Sequence, residues 1–389
     1  MQNKKIAVFH DHFMYRWGWE RLITLLAKAI DADLISAFFD EWSLDPRELW
    51  FKGNIIELTK PGFAFFDKRS YQAEKNKKAT LSKFKLILFK WIRHFLLKYS
   101  IVFKSKVLAN YETVIFSWDA LWAIRNCSKN ADTIYYCHTP PRYLFDQKDE
   151  YLKKVPGLIK PLYIGACKIF EYLYRKDFAR VGKILTNSET VKTRIKKYLG
   201  REAIIVYPPV DISFFKPSEI RWDYYYSWAR LTEIKRVDTI AEAFKSMPDK
   251  NLIISYWKND PDKSKIQEII RWHENIKMIE SPDDEQLRKL ISESIATIYI
   301  PREEDFWMSP IESMACWVPV IWVDEWGLRE SIIDWKTWIL IPRWAKVEDL
   351  IKAVSTLWIN EALSMKDDCI IRAKDFSLET FSQNIKNEI

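Results

Sequence analysis

Short apolar runs closed by polar or turn-forming residues recur along the chain, alternating with segments whose apolar residues return at helical spacing. The first run, Lys4 to His10 (KKIAVFH), has the length and bounds of a buried parallel strand. Runs at Asp33 to Phe39, Asn54 to Leu58, Thr113 to Phe116, Asp132 to His138, Lys183 to Asn187 and Ala203 to Tyr207 predict further strands. Helical patterns lie between most of them, among them Leu158 to Asp177 and Glu189 to Leu199. The prolines of Tyr207-Pro208-Pro209-Val210-Asp211 and Lys216-Pro217 then read as an interdomain connection. A second alternation follows, with strands expected at Tyr224 to Ser227, Asn251 to Tyr256, Lys277 to Glu280, Thr297 to Ile300 and Pro319 to Val323. Alternating strands and helices predict an α/β fold with parallel sheets covered on both faces, binding ligands at the carboxyl ends of the strands. The domains expected are 1–210 and 211–370, followed by an amphipathic tail, 371–389.

The stretch from Ile300 to Ile339 carries the densest pattern. A strand breaks at Pro301, and Glu304 and Glu312 flank a short loop. Ser309-Pro310-Ile311-Glu312 reads as a helix start, with Ser309 as N-cap, Pro310 at N1 and Glu312 at N3. A strand end beside a helix N-terminus suits an anionic ligand, because free N–H groups and the helix dipole point into it.

Tryptophan sits where such loops want no side chain, at Trp307, Trp317, Trp322, Trp326, Trp335 and Trp338. Cys316-Trp317-Val318-Pro319 calls for a left-handed helix C-cap, a place for glycine. The chain has 8 Gly and 19 Trp in 389 residues, together roughly 7% of the chain, the share glycine alone usually takes. Many of these tryptophans are therefore expected to be glycines in the cell. Some bacterial lineages read UGA as glycine, and translating UGA as tryptophan produces this pattern. UGG codons at Trp307, Trp317 and Trp326 would end the idea.

Composition bounds the rest. Hydrophobic residues make up 48% and charged residues 29%, a globular balance, and no apolar run is long enough for a membrane span. The start, MQNKKIAVFHDH, is not expected to be a signal peptide. Five scattered cysteines without a C-x-x-C argue for reduced thiols in the cytoplasm and against a zinc site. The net charge of +8 is uneven: from Lys60 to Lys106 there are 13 Lys or Arg and only two acids. That segment reads either as a helix docked on an anionic membrane surface or as a domain helix with a solvated basic face. No nucleic-acid motif accompanies it, so nucleic acid is not expected as a partner.

Four further places carry candidate chemistry. The loop Tyr15 to Arg21, with Trp17 and Trp19 read as glycine around Gly18, becomes a GGGER turn able to present N–H groups to phosphate. His138 closes a strand in YYCHTPPRYLFD, with Arg142 as a second polar group, and Asn187-Ser188 closes another. Arg230 and Lys235, in SWARLTEIKRVD with Trp228 at a glycine position, are two cations able to stabilise a departing diphosphate. Glu280-Ser281-Pro282-Asp283 forms a loop after a strand.

With the tryptophans of 307–338 read as glycine, the stretch resembles the donor-binding segment of retaining family 4 glycosyltransferases, and most closely their bacterial mannosyltransferase branch. The family's two glutamates match Glu304 and Glu312, with FWMSP between them and the Pro-Val-Ile strand after. YYCHTPPRYLFD is similar to a segment whose histidine faces the transferred sugar in that branch. The resemblance covers most of the chain and is weakest over 40–109. It implies the GT-B fold, two Rossmann-like domains facing across a cleft, the final helix crossing back to the first. It implies that Arg230 and Lys235 hold the diphosphate, that Glu312 binds the ribose, and that Glu304, with N–H groups around Phe306, Trp307, Met308 and Ser309, holds the sugar. The Glu280 loop would lie at the nucleotide base, and Trp17, Gly18 and Trp19 near phosphate and acceptor. The reaction implied is metal-independent, retaining hexosyl transfer from a sugar nucleotide, GDP-mannose, to a saccharide or lipid-linked acceptor, with no other cofactor. The setting implied is polysaccharide synthesis by a cytoplasmic enzyme, peripheral at the inner face of the membrane if the basic segment docks there. Two rivals stay open: a GT-B-fold sugar-nucleotide epimerase and, if the tryptophans are genuine, a non-catalytic membrane-surface protein.

Overall fold

The computed structural model describes residues 5–14, 18–41, 43–59, 96–220, 223–302, 308–324 and 337–389. They fall into two compact units, Met1–Val206 with Ser382–Ile389, and Tyr207–Phe381. The first is built on seven strands: β1 (Ile6–His10), β2 (Asp33–Ser36), β3 (Ile55–Glu57), β4 (Thr113–Ser117), β5 (Asp132–Cys137), β6 (Lys183–Thr186) and β7 (Ile204–Ile205). They pair in parallel in the order β3-β2-β1-β4-β5-β6-β7. Ala7, Val8 and Phe9 are wholly buried because helices cover both faces, which is why this strand reads as an unbroken apolar run.

The second unit repeats the plan with β8 (Tyr225–Ser227), β9 (Leu252–Tyr256), β10 (Ile276–Glu280), β11 (Thr297–Tyr299), β12 (Val320–Val323) and β13 (Trp338–Ile341). Its order is β10-β9-β8-β11-β12-β13, again all parallel. Each unit has its own core, one around Phe9, Phe116 and Tyr135, the other around Tyr225, Phe244 and Ile298. In each sheet the order reverses once, between β1 and β4 and between β8 and β11. Such switch points are where open α/β sheets bind ligands. Two parallel α/β units of this kind make up the GT-B fold.

Several local expectations shift. The strand expected over Ala203 to Tyr207 is reduced to Ile204–Ile205, with the Val206 N–H still reaching the Thr186 carbonyl (2.8 Å) before the prolines arrive. The helix expected from Leu158 starts at Lys160, after a 3-10 turn at Gly157–Ile159. Ser309 is not an N-cap. The helix Ser309–Ala315 includes it, Met308 sits outside in right-handed conformation without a side-chain cap, and the Met308 carbonyl accepts from Ile311 and Glu312 N–H, both at 2.9 Å. Of the basic 60–106 segment, 60–95 lies outside the described residues. Residues 96–104 are helical, with Leu97 and Ile101 buried in the first unit's core. Lys98 turns inward to Asp119 (3.2 Å) and to the face of Trp122. No helix among the described residues is long and apolar enough to cross a membrane.

Candidate active site

In the second unit the chemistry gathers at the switch point. The loop leaving β8 runs through Trp228 to Arg230 and forms a 3-10 turn at Glu233–Lys235 before the helix Val237–Lys245. Lys235 is buried and donates to the Tyr299 hydroxyl at the end of β11, spanning the gap where the strand order reverses. Arg230 has a half-exposed side chain whose Nε lies 3.5 Å from the buried Asp260 carboxylate. Asp260 is fixed in turn by the N–H groups of Leu231 (3.0 Å) and Trp257 (2.9 Å). A buried acid therefore aims Arg230 and keeps its outer face on solvent. Two cations held in this way suit an anionic ligand, and no cluster of metal-ligating side chains occurs among the described residues.

The helix Ser309–Ala315 follows β11, and Ser313 pins it there: its hydroxyl meets that of Thr297 (2.8 Å) and donates to the Val318 carbonyl (3.0 Å). Glu312 stands half-buried on the first turn, with Ser309 beside it and Met308 before it. Glu304, Phe306 and Trp307, which carry the other half of the expected donor site, lie outside the described residues. Glu280, at the end of β10, has its carboxylate taken by the Tyr256 hydroxyl and the Lys263 ammonium, both at 2.9 Å. Those two donors hold it below the usual carboxylate range, the Lys263 hydrogen bond first. Its carboxylate is thus engaged by Tyr256 of the neighbouring strand and by Lys263 of the helix Lys263–Ile270, while the side chain stays partly exposed.

The first unit's switch point has a different character. His10 ends β1, Ser117 ends β4 opposite it in register, and His138 follows β5. The Ser117 hydroxyl lies 3.1 Å from His10 Nδ1 and 2.9 Å from His138 Nε2. Burial, chiefly, pushes His10 down to about 4 and His138 to about 3, so both imidazoles are neutral near pH 7. Burial works against the charge of Asp11, yet His12 and His10 hold its carboxyl well below the usual range. His12 is raised, with Asp11 outweighing burial and Glu20 and Asp119 assisting. Trp118 stacks on His138 with centroids 5.2 Å apart, and Trp19 meets Trp118 edge-on at 5.4 Å. Gly18 and Trp19 open the helix Gly18–Ala29; Trp17 lies outside the described residues.

Two other expected groups are used locally. Arg142 is bound to Asp146 (2.9 Å), and Ser188 caps the helix Glu189–Leu199 by accepting from Val191 N–H (3.2 Å). The residues that sequence reasoning passed over are His10, Asp11 and Ser117 in one unit and Asp260 and Tyr299 in the other. Their only signal was position, each standing within a few residues of a strand's carboxyl end.

Residues 214–376 match the family described as Glycosyl transferases group 1. The second unit therefore carries a glycosyltransferase domain. Across almost the whole chain the fold is similar to that of Anabaena Alr3699/HepE, solved with UDP (14% identity, 99% of each chain covered, TM-score 0.70). It is similar as well to a sucrose-phosphate synthase from Thermosynechococcus elongatus (13% identity, 99% of this chain and 98% of that one, TM-score 0.72). A glycosyltransferase from Rickettsia africae matches at 14% identity over 98% and 97% of the two chains, with a TM-score of 0.66. No curated protein sequence matches the chain significantly.

Proposed function

We propose, from the premise that residues 214–376 form a group 1 glycosyltransferase domain, that the chain moves a hexose from a sugar nucleotide to a saccharide or lipid-linked acceptor, with retention at the anomeric carbon. The observation that carries this is the placing of Lys235 on Tyr299 and of Arg230 on Asp260 around the β8–β11 switch point. When the bond from the anomeric carbon to the diphosphate oxygen breaks, the nucleoside diphosphate gains charge. Cations already fixed there stabilise the transition state without reorganising. The acceptor hydroxyl attacks from the face the diphosphate leaves, the new C–O bond forms, and the departing phosphate takes the hydroxyl proton. Arg230 and Lys235 do the work a divalent metal does elsewhere, and no cofactor beyond the co-substrate is required. Glu312 takes the ribose hydroxyls, and Glu304 with the backbone of 306–309 takes the hydroxyls of the sugar. His138 accepts from a sugar hydroxyl, and the turn around Gly18 faces phosphate or acceptor.

The donor we propose is GDP-mannose, on the likeness of residues 135–146 to the mannosyltransferase branch, in surface polysaccharide synthesis. Anabaena HepE is solved with UDP-glucose, which makes that the competing donor. A cytoplasmic enzyme bound at an anionic inner membrane face fits an exposed apolar stripe, Leu158, Leu162, Ile169 and Tyr172, flanked by Lys160, Lys168 and Lys176. Leu162→Glu with Ile169→Glu should abolish co-sedimentation with phosphatidylglycerol vesicles, and unchanged binding refutes this docking.

The same reading requires glycine at several tryptophans. Among the described residues, half of the six non-glycine positions with positive φ are tryptophan: Trp50 (58°), Trp118 (54°) and Trp317 (63°). Indole tolerates that region poorly. The buried indole N–H groups of Trp118 and Trp322 have no hydrogen-bond partner, an omission worth about 1–3 kcal/mol each. Both rings also lie on proposed binding groups, Trp118 on His138 and Trp322 against Tyr299 (4.9 Å). Glycine at these positions removes the cost and opens the space. Intact mass of the natural protein decides it, since a glycine-decoded chain is lighter by more than a kilodalton.

The functional test is a donor panel. The glycine-containing enzyme, given GDP-mannose or UDP-glucose with and without acceptor saccharide, should release nucleoside diphosphate and glycosylate the acceptor from one donor. Isomerised sugar nucleotide without an acceptor would point to an epimerase, and no turnover of any donor would end the enzyme reading.

A further inference from the structure

We infer that Ser117 and His10 fix the tautomer of His138, leaving its Nδ1 as a bare acceptor for a ligand hydroxyl. This deepens the proposed function and rests on it for the identity of that hydroxyl as a sugar's. The argument begins at Asp11, whose Oδ1 lies 3.5 Å from His10 Nε2. An ionised carboxylate only accepts, so it favours the proton of a neutral His10 on Nε2. His10 Nδ1 is then a lone pair, 3.1 Å from Ser117 Oγ, and Ser117 must donate to it. A hydroxyl has one proton. Having given it to His10, Ser117 can only accept from the Nε2 of His138, 2.9 Å away. His138 therefore carries its proton on Nε2.

The chain Asp11–His10–Ser117–His138 crosses three adjacent strands, β1, β4 and β5, at the switch point of the sheet. Burial keeps both imidazoles uncharged near pH 7, which preserves the donor–acceptor alternation. Of the remaining charged groups around this corner, His12 bears on both Asp11 and His10, lowering the latter further, and Glu20 and Asp119 bear on His12. A bare imidazole nitrogen selects by chemistry. It takes a hydrogen bond from an alcohol and repels a phosphate or carboxylate oxygen, which has no proton to offer. The first unit's site is thereby matched to the polyol part of a substrate, and Ser117 and His10 are positioning residues for it.

Nitrogen-15 NMR of the full chain with labelled histidine reads the tautomer directly, with His138 assigned by the loss of its signals in His138→Gln. Near pH 8 the wild-type chain should show a protonated Nε2 and a bare Nδ1 at His138. Ser117→Ala should turn this into a mixture of tautomers, and Ser117→Thr, which restores a hydroxyl, should bring the single tautomer back. If Ser117→Ala does not fold, His10→Phe provides the second route and should give the same mixture. Protonated Nδ1 in the wild type, or an unchanged single tautomer in the variants, overturns the relay. In turnover, Ser117→Ala should lower kcat about tenfold, the weight of one hydrogen bond, with rescue by threonine. An enzyme that transfers sugar with the opposite tautomer sinks the relay alone. The expected tautomer without any transfer sinks the functional reading and leaves the relay standing.

Discussion

The two sheets share a strand order and a switch point, yet they carry opposite chemistry there. In the first unit a neutral serine and two neutral histidines meet at the ends of β1, β4 and β5. In the second, a buried lysine and an acid-braced arginine meet at the ends of β8 and β11. The fold thus supplies the place, and the side chains set whether it is neutral or positively charged. The largest effect should come from breaking the charged side. Lys235→Ala and Arg230→Ala should each lower turnover by about 10²–10³, the loss seen when one preorganised donor to a developing anion is removed. Lys235→Ala should cost more, because its ammonium is buried and Arg230's side chain is half-exposed. Steady-state kinetics check this, with circular dichroism to confirm the fold; near-normal turnover in both refutes their role.

Acid should break the neutral side next. The unfolded chain protonates histidine near pH 6.5, whereas folded His10 waits until about 4 and His138 until about 3. Between those values the unfolded state binds more protons, so stability rises with pH and is lost as pH falls from about 6.5 towards 4. His12, with its raised value, works the other way, stabilising at low pH and losing that contribution as pH rises through its folded value. Asp11's stabilisation is fully present above the ordinary carboxylate range and is lost only as pH falls below it, outside this window. His12 changes charge only above that window, so it does not offset the loss there, and His10 and His138 both lower stability as pH falls from about 6.5 to 4. The denaturation midpoint should fall over that window in the wild type and flatten in a His10→Gln, His138→Gln double variant. Trp118→Gly uncovers His138 and should shrink the fall; a midpoint that stays level in the wild type contradicts the assignment.

Within the second unit a smaller change should follow Glu312→Gln. Loss of a charged acceptor to ribose hydroxyls is worth about one power of ten. It should appear as a raised KM for the donor with kcat almost unchanged, because the ribose is remote from the bond that breaks. A loss confined to kcat would move Glu312 to the reacting sugar.

What the sequence disclosed and what it withheld separate along the same lines. Both sheets were legible except for β13, which the sequence reading did not name, since buried parallel strands leave unbroken apolar runs whichever unit they occupy. Arg230, Lys235 and Glu312 were legible as charges near strand ends. The hydroxyl site was half-hidden: Ser117 stands 107 residues from His10 and 21 from His138, and only strand order brings the three together. Tyr299 was hidden for a similar reason, as an apolar-looking member of its strand whose hydroxyl receives Lys235 from 64 residues away. The cap at Ser309 misled because Pro310 fits either of the first helical positions, and the choice fell to the Met308 carbonyl.

One helix end in each unit allows a last and smallest comparison. The helix Glu189–Leu199 closes on Gly200 at φ 69°, with no atom within 4 Å of where a Cβ would stand. The helix Ser309–Ala315 closes on Trp317 at φ 63°, where Trp317 N–H reaches the Met314 carbonyl (2.9 Å) and Val318 N–H the Ser313 carbonyl (3.0 Å). That pair of bonds is the Schellman closure, which favours glycine at its left-handed position. A side chain there costs about 1–2 kcal/mol of backbone strain. Lys366, whose ammonium lies 3.5 Å from the Trp317 ring centroid, returns about 0.5–1 kcal/mol of it. Trp317→Gly should therefore stabilise the chain by roughly 0.5–1 kcal/mol, the strain relieved less the cation–ring attraction given up. Gly200→Ala should destabilise by about 1 kcal/mol, through the backbone alone since the space is open. Urea denaturation of both variants measures the two numbers in the same chain. Opposite signs would mean that the two helices want the same residue at their ends; a Trp317→Gly chain that is weaker than its parent would mean that the indole belongs there.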